Sequence, residues 1–319
     1  MKDKYNIGML GTGAIAKVLS KNIEACDGRI VKYACASRNV DNAHKFAANE
    51  GFKIAYSSYE ELLQDEDVDI IYVATPTQLH FEHIKMCLEH GKHVITEKPF
   101  ALNEKEAKEL FNLACSKNVV LFDAIWAMYQ PIWEDIDQII RNDFDEEIKY
   151  ISASFGYPAM NLMPRLLDPV GGGSLYDLGV YCVAAILRIL GADYENITSK
   201  FKYYKDVDIE NHIYLKYKCT RARIHSSIRH RTSYMLFIIG KKGVICSRKF
   251  WQGKGFYYWR FPFGFQRKKY NYKVSGYECE LMRLIEMLDA DKIECDCYKH
   301  KDTLAVMHIM DEARYIAAK

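Results

Sequence analysis

A chain of 319 residues is long enough for two domains with separate cores, and its 49% hydrophobic and 27% charged content is that of a folded globular protein, which excludes a disordered or fibrous chain. The first residues, Met1 to Lys4, run directly into an apolar segment without signal-peptide character, and no apolar run approaches membrane-span length, so a soluble, cytoplasmic protein is expected. The net charge of +2 is unevenly spread: residues 211–277 hold sixteen Lys or Arg and no Asp or Glu, leaving 28 basic against 42 acidic side chains elsewhere.

The segment 5–10 is a short apolar strand pattern followed by Gly11, Thr12, Gly13, Ala14, Ile15 and Ala16, the G-x-G-x-x-A form of the dinucleotide fingerprint. The first glycine allows the tight turn, the second admits a pyrophosphate to the backbone, and the small Ala16 lets the next helix pack on the strand. A second strand over 30–36 ends in Ser37 and Arg38. An acid there would accept hydrogen bonds from the ribose diol of NAD; a hydroxyl and a guanidinium suit a 2′-phosphate, so NADP is favoured over NAD. Further along come a helix from Ser58, a strand over 68–74, the turn Thr75-Pro76-Thr77, and a helix over 78–89 with His80 and His83 on one face. No third ligand accompanies these histidines, so no metal is expected, and His80 is placed toward the cofactor instead.

The run Val94 to Pro99 ends in Glu97, Lys98 and Pro99. Proline pushes Lys98 toward extended backbone, so a strand stops here and presents Lys98 at its carboxyl edge, where open α/β sheets bind ligands. A helix capped by Asn103, with Glu106 completing the box, and a strand over 119–122 close a first domain. Alternating strands and helices predict a doubly wound parallel Rossmann sheet over 1–123. Trp126, Tyr129 and Trp133 cluster at the boundary, either as packing between domains or as a platform for a nicotinamide or sugar.

From 150 onward, alternating runs at 150–157, 197–204, 212–217, 223–231, 234–239 and 244–248 predict a large, mostly antiparallel open sheet in a C-terminal α+β domain, 124–319. Helices are expected over 174–190, 277–288 and 302–318, the last of which is free to pack back on the first domain. Gly171 to Gly173 lead into Ser174, a good N-cap, with Asp177 placed to complete the capping arrangement. Asp177 and Tyr181, four apart, share a helix face; a phenol near an acid and a lysine can give and take a proton, because an ammonium favours the phenolate. The ten cysteines show only one close pair, Cys295 and Cys297, with no second pair to build a zinc site, so mostly buried, reduced thiols are expected.

With these residues in place, the chain resembles the glucose-fructose oxidoreductase and inositol 2-dehydrogenase (Gfo/Idh/MocA) family over nearly its whole length, through Gly11 to Ala16, Ala74-Thr75-Pro76 with His80, Glu97-Lys98-Pro99, and the glycine turn leading to Asp177 and Tyr181. Many members carry histidine where Tyr181 stands; the tyrosine form, with Asp123-Ala124-Ile125-Trp126 and Arg165 before Asp168-Pro169, is similar to the dimeric dihydrodiol dehydrogenases, which also oxidise xylose with NADP. The resemblance implies an oxidoreductase moving hydride between nicotinamide and a secondary or anomeric hydroxyl of a sugar or cyclic polyol. It implies catalytic roles for Tyr181, Lys98 and Asp177, substrate contacts from Trp126, Phe155, Arg165 and Asp177, and cofactor contacts from Gly11, Thr12, Gly13, Ala14, Ile15, Ser37, Arg38, Thr75, Pro76, His80, Glu97 and Lys98. Met128 stands where that group has an arginine, a departure at a substrate contact or interdomain bridge.

The basic stretch, interleaved with Phe250, Trp251, Tyr257, Tyr258, Trp259, Phe261, Phe263 and Phe265, admits rival readings. It is a homodimer face with its charges matched by the acidic segment 134–147, or it selects a phosphorylated or nucleotide-linked sugar; a membrane surface or nucleic acid is the least favoured partner. A non-catalytic NADP-binding sensor on the same fold is the rival from another class.

Overall fold

A computed structural model describes residues 2–144, 147–262 and 264–319, and they divide into two units: Met1–Trp126 with Tyr272–His300, and Ala127–Asn271 with Lys301–Lys319. Phe263, counted above in the aromatic stretch, lies outside the described residues.

The first unit alternates β1 (Tyr5–Leu10), α1 (Ala14–Ile23), β2 (Ile30–Ala36), α2 (Val40–Glu50), β3 (Ile54–Tyr56), α3 (Tyr59–Gln64), β4 (Ile70–Val73), α4 (His80–Glu89), β5 (His93–Glu97), α5 (Glu104–Lys117) and β6 (Leu121–Ala124). The six strands pair in the order β3-β2-β1-β4-β5-β6, every pair parallel. Strands buried on both faces read as continuous apolar runs, and Ile70–Val73 is buried throughout, as is all of β1 except Asn6. Helix starts follow their caps. Ser58 Oγ accepts from the Glu61 N–H at 3.1 Å, and Asn103 Oδ1 from that of Glu106 at 2.9 Å, while the Glu106 carboxylate reaches back to the Leu102 N–H at 3.0 Å. Each such cap contributes about 1 kcal/mol.

The second unit adds α6 (Ile132–Asp143), β7 (Ile148–Gly156), α7 (Val180–Leu190), β8 (Asn196–Tyr204), β9 (Val207–Lys216), β10 (Arg221–Ser227), β11 (Met235–Gly240), β12 (Gly243–Arg248), β13 (Gly255–Arg260) and β14 (Gly264–Lys269). These eight strands form one sheet in the order β14-β13-β12-β11-β7-β10-β9-β8, antiparallel except where β7 runs parallel to β10. The expectation of a Rossmann sheet plus a large, mostly antiparallel one therefore holds. Most of α7 is buried and it packs on β7 and β10, as a helix apolar all round must.

Two later helices fall to different units. Helix α8 (Glu278–Asp289) packs on α1 in the first unit, where Asp289 accepts from Arg29 at 2.8 Å and from the Tyr5 hydroxyl at 3.0 Å. Most of α9 (His300–Ala317) belongs to the second, with the Ala313 carbonyl accepting from Ser199 Oγ at 2.6 Å and the Arg314 guanidinium 4.6 Å over the Tyr176 ring.

The acid-free stretch supplies β10 to β14, and its aromatic end is the β13–β14 hairpin of this sheet. Along β13, Phe256 and Tyr258 are buried while Tyr257 and Trp259 face outward, the alternation of a one-sided strand. Charges of the basic stretch meet acids of the same unit: in the hairpin Lys268 pairs with Asp135 and Arg260 with Asp143 at 3.2 Å, and in the turn between β11 and β12 Lys241 pairs with Glu147 at 3.2 Å. The cysteines depart from expectation: all ten are free, but only Cys26, Cys35, Cys87, Cys182 and Cys295 are buried. No helix among the described residues is long and apolar enough to cross a membrane.

Candidate active site

In the first unit the fingerprint occupies the turn between β1 and α1. Gly11 has φ +105°, and a Cβ there would sit 2.9 Å from the Ala74 carbonyl oxygen, so only glycine fits against the end of β4. Gly13 differs: a Cβ on it would meet nothing within 4 Å, because it faces open space. Helix α1 starts at this point with no acid in its first turn, leaving its initial N–H groups and positive dipole end for an anion. Ala16 is fully buried, which is the close packing its size allows. Ser37 is half-buried and Arg38 exposed at the end of β2, and the Arg38 charge, after burial, holds the His83 pKa below its usual value.

The turns after β4 and β5 are tied together. Both ring nitrogens of the buried His80 lie 2.9 Å from main-chain carbonyl oxygens, Nδ1 from Pro99 and Nε2 from Thr75, and burial lowers its pKa against the raising by these carbonyls. His80 therefore spans the two turns from inside rather than presenting its ring to a ligand. His83 Nδ1 lies 2.9 Å from Thr75 Oγ1, so the histidine pair is spent on positioning this edge. Glu97 accepts a short hydrogen bond from the Tyr72 hydroxyl and a second, at 3.2 Å, from the N–H of the half-buried Lys98. Behind them the interior holds two further acids, Asp123 and Glu280, and burial with these neighbouring charges raises the Glu280 pKa well above its usual value. Glu280 was not foreseen: at the start of α8 it reads as an ordinary first-turn acid.

In the second unit, the chain entering α7 does not use the expected cap. Ser174 Oγ is buried 2.8 Å from Ser226 Oγ, and the Leu175 N–H donates instead to Asp208 of β9 at 2.8 Å. A Cβ on Gly173, φ +99°, would lie 2.2 Å from that Asp208 carboxylate, so glycine is what lets the cap approach. Residues Leu175–Gly179 form a π turn before the α-helix proper. Burial pushes Asp208 up to about 6, against the lowering by the Leu175 N–H and the Asn211 amide.

Relieved of capping, Asp177 accepts from Arg165 Nη1 at 3.1 Å, and its charge, after burial, helps raise the Tyr157 pKa. Tyr181 follows one turn later, buried, with its ring 6.0 Å from that of Phe155. Phe155 stacks on Trp251 at 3.5 Å and 9°, and Tyr234 meets both edge-on. Of the residues expected at a site, Phe155, Arg165, Asp177 and Tyr181 lie in this second unit and Lys98 in the first. Tyr157, Tyr234 and Trp251 were not singled out as site residues: Tyr157 follows Phe155 by two residues in the same alternating run, whereas the approach of Tyr234 and Trp251 depends on tertiary placement that local pattern does not encode.

The boundary aromatics divide between the two units. Trp126 stacks on Tyr277 at 4.2 Å and 10° within the first unit, whereas the Trp133 indole N–H donates to the Ala127 carbonyl at 2.6 Å in the second and its ring lies under Arg188. Met128 is buried.

Comparison with known proteins agrees with both units. Residues 5–124 match the model of the oxidoreductase family with an NAD-binding Rossmann fold, and residues 133–246 that of the GFO/IDH/MocA C-terminal domain. Trans-1,2-dihydrobenzene-1,2-diol dehydrogenase of Xenopus laevis is 34% identical over 75% of this chain and 73% of its own length, and that of Mus musculus 31% over 76% and 74%. Among solved structures, a 3-ketoreductase from Actinomadura kijaniata in complex with NADP and TDP-benzene has a TM-score of 0.88 at 23% identity, covering 98% of this chain and 97% of its own. Levoglucosan dehydrogenase in complex with NADH and levoglucosan has 0.87 at 18%, covering 99% and 97%. A parallel sheet with the dinucleotide fingerprint, a second open sheet and these full-length likenesses lead to one conclusion: the chain belongs to the Gfo/Idh/MocA family of oxidoreductases.

Proposed function

We propose that this protein is an NADP-dependent dehydrogenase acting reversibly on a secondary or anomeric hydroxyl of a sugar or cyclic polyol. The observation that carries this reading is Tyr181, a phenol on the first turn of α7, one turn after an Asp177 paired with Arg165 and beside the ring of Phe155. The names of the dihydrodiol dehydrogenases support the same class of CH–OH substrate.

The residues of the first unit suit a dinucleotide: space over Gly13, uncapped N–H groups at the start of α1, and a guanidinium rather than an acid after β2. Gly11 to Ile15 would receive the pyrophosphate and Ser37 with Arg38 the 2′-phosphate, while Thr75, Pro76, Glu97 and Lys98 would flank the nicotinamide. His80 acts through the two turns it joins. Bound there, NADP supplies the hydride acceptor. Tyr181 would take the hydroxyl proton during oxidation and return it during reduction, with Lys98 as the proposed ammonium that would favour its phenolate. Arg165 and Asp177 would hydrogen-bond substrate hydroxyls, with Phe155 and Trp126 giving apolar contact. We also read the outer face of the eight-stranded sheet, where Trp259 and Phe265 are 54% and 64% exposed, as the seat of a second copy in a homodimer.

The test is a fluorescence titration with NADPH and NADH followed by a panel of sugars and diols monitored at the nicotinamide absorbance. Tighter NADPH binding with turnover of a neutral sugar or diol, lost by about 10²- to 10⁴-fold in Tyr181→Phe, is the expected result. Turnover confined to phosphorylated or nucleotide-linked sugars would reassign the substrate, and binding without any turnover would leave a sensor. Full activity in Tyr181→Phe would overturn the mechanism.

A further inference from the structure

A cluster far from these groups in sequence is built for another ligand. Glu210 and His212 alternate along β9 with Ile209, Asn211 and Ile213, so they stand on the opposite sheet face from the buried core. Register places His225 of β10 directly opposite His212, and the two imidazoles stack at 4.1 Å and 16°. His230 reaches the same carboxylate from the turn after β10, a turn held by N–H donation from Arg229 and His230 to Ser227 Oγ, each at 3.2 Å.

We propose that Glu210, His225 and His230 form a binding site for a zinc-class divalent transition metal. One ligand atom from each lies within 4.8 Å of those from the other two. The Glu210 carboxylate is 3.7 Å from His225 Nε2 and 4.0 Å from His230 Nδ1. A tetrahedral ion with bonds of about 2.0–2.2 Å sets its ligand atoms about 3.3–3.6 Å apart, so a cluster whose atoms lie within 4.8 Å closes on it by about an ångström at most through side-chain rotation. His225 Nε2 is buried yet has no hydrogen-bond partner among the described residues, a cost that a metal bond would remove. Two imidazoles and one carboxylate are a donor set for zinc and its neighbours rather than for calcium or magnesium, which take oxygen.

The surroundings fit the role. His212 Nε2, 3.2 Å from Glu210 Oε1, orients the carboxylate, as outer-shell partners of metal ligands do. Lys202 Nζ, 2.8 Å from Glu210 Oε2 and 59% exposed, supplies the charge that a cation would replace, and its long side chain is free to swing into solvent. His230 would exchange its 3.2 Å contact with Ser227 Oγ for the metal. Three protein ligands leave a fourth position for water.

The experiment is competition of the full-length protein, stripped with a chelator, against a chromophoric zinc indicator, with NADPH binding and circular dichroism as controls for folding. One zinc per chain is expected. His230→Ala, on an exposed turn, and His225→Ala should each abolish that binding. His212→Gln should weaken it by about 10- to 100-fold. Lys202→Met should tighten it, because the competing ammonium is gone. Absence of stoichiometric zinc binding, or binding unchanged in a folded His230→Ala variant, would overturn the assignment. So would weaker binding in Lys202→Met.

Discussion

Replacing Glu280 by glutamine isolates the cost of one buried acid. Glu280 is wholly buried, neither carboxyl oxygen has a hydrogen-bond partner among the described residues, and the charges nearest it are Glu97 at the end of β5 and Asp123 on β6. Burial first, then these two acids, raise its pKa well above the ordinary 4.5. The native protein therefore keeps the Glu280 proton at a pH where the unfolded chain has released it. Over that window the native state binds one proton more than the unfolded state, so stability falls as pH rises, by about 1.4 kcal/mol per pH unit, until the folded pKa is passed. Glutamine preserves shape and has no proton to lose. Glu280→Gln should thus match the parent near pH 4.5 and gain on it by about 1.4 kcal/mol for each unit above, some 3 kcal/mol two units higher if the folded pKa is not yet reached. At about 2–4 °C per kcal/mol for a unit of this size, the gain is readily measured. Urea unfolding of both proteins at pH 5, 6 and 7 is the assay. A constant difference across pH, or a parental advantage that grows with pH, would mean that Glu280 is ionised and stabilised in the fold, and the reasoning would fail.

The two fingerprint glycines should separate folding from binding. Gly13→Ala leaves thermal stability unchanged but blocks NADPH, because its Cβ enters only the space over the turn, whereas Gly11→Ala loses about 1–3 kcal/mol of stability through its positive φ and the Ala74 carbonyl; melting curves paired with fluorescence titration check both. Arg38→Ala should weaken NADPH binding by about 10- to 150-fold, the worth of a charged hydrogen bond, while NADH binding is little changed. Asp208→Ala strands the buried Leu175 N–H at the entry to the π turn, so it should lower stability by about 1–3 kcal/mol and reduce turnover by displacing Asp177 and Tyr181, read by urea unfolding and by steady-state kinetics.

What was legible in the sequence was what neighbours along the chain decide. The fingerprint glycines, the Asn103 cap with Glu106 and the alternating runs each depend on residues within a turn or a strand, and the structure places them as expected. The errors occur where the deciding partner is distant. Ser174 followed by Asp177 has the spacing of a capping pair, yet a carboxylate from β9 takes the cap, which frees Asp177 to pair with Arg165. The acidic segment 134–147 was expected to answer the basic stretch across a homodimer face, whereas Asp135 and Asp143 of α6 meet Lys268 and Arg260 within one chain, a pairing that depends on where the fold brings α6.

Glu280 is the furthest case. An acid in the first turn of a helix is favoured by the dipole and ordinarily faces water, so the local reading is sound as far as it goes. The fold overrules it by bringing α8 back into the first unit from far beyond β6 in sequence, so that the side chain is buried and feels the charges of Glu97 and Asp123. Burial first, then the charges of Glu97 and Asp123, raise the Glu280 pKa, and neither of its carboxyl oxygens has a hydrogen-bond partner among the described residues to offset this. Glu97, whose charge acts on Glu280, also accepts from the Lys98 N–H at 3.2 Å, which couples an apparently structural acid to the lysine at the strand edge. If that coupling holds, Glu280→Gln should preserve cofactor binding while Glu280→Asp, which shortens the side chain and opens a void against β5, should weaken it.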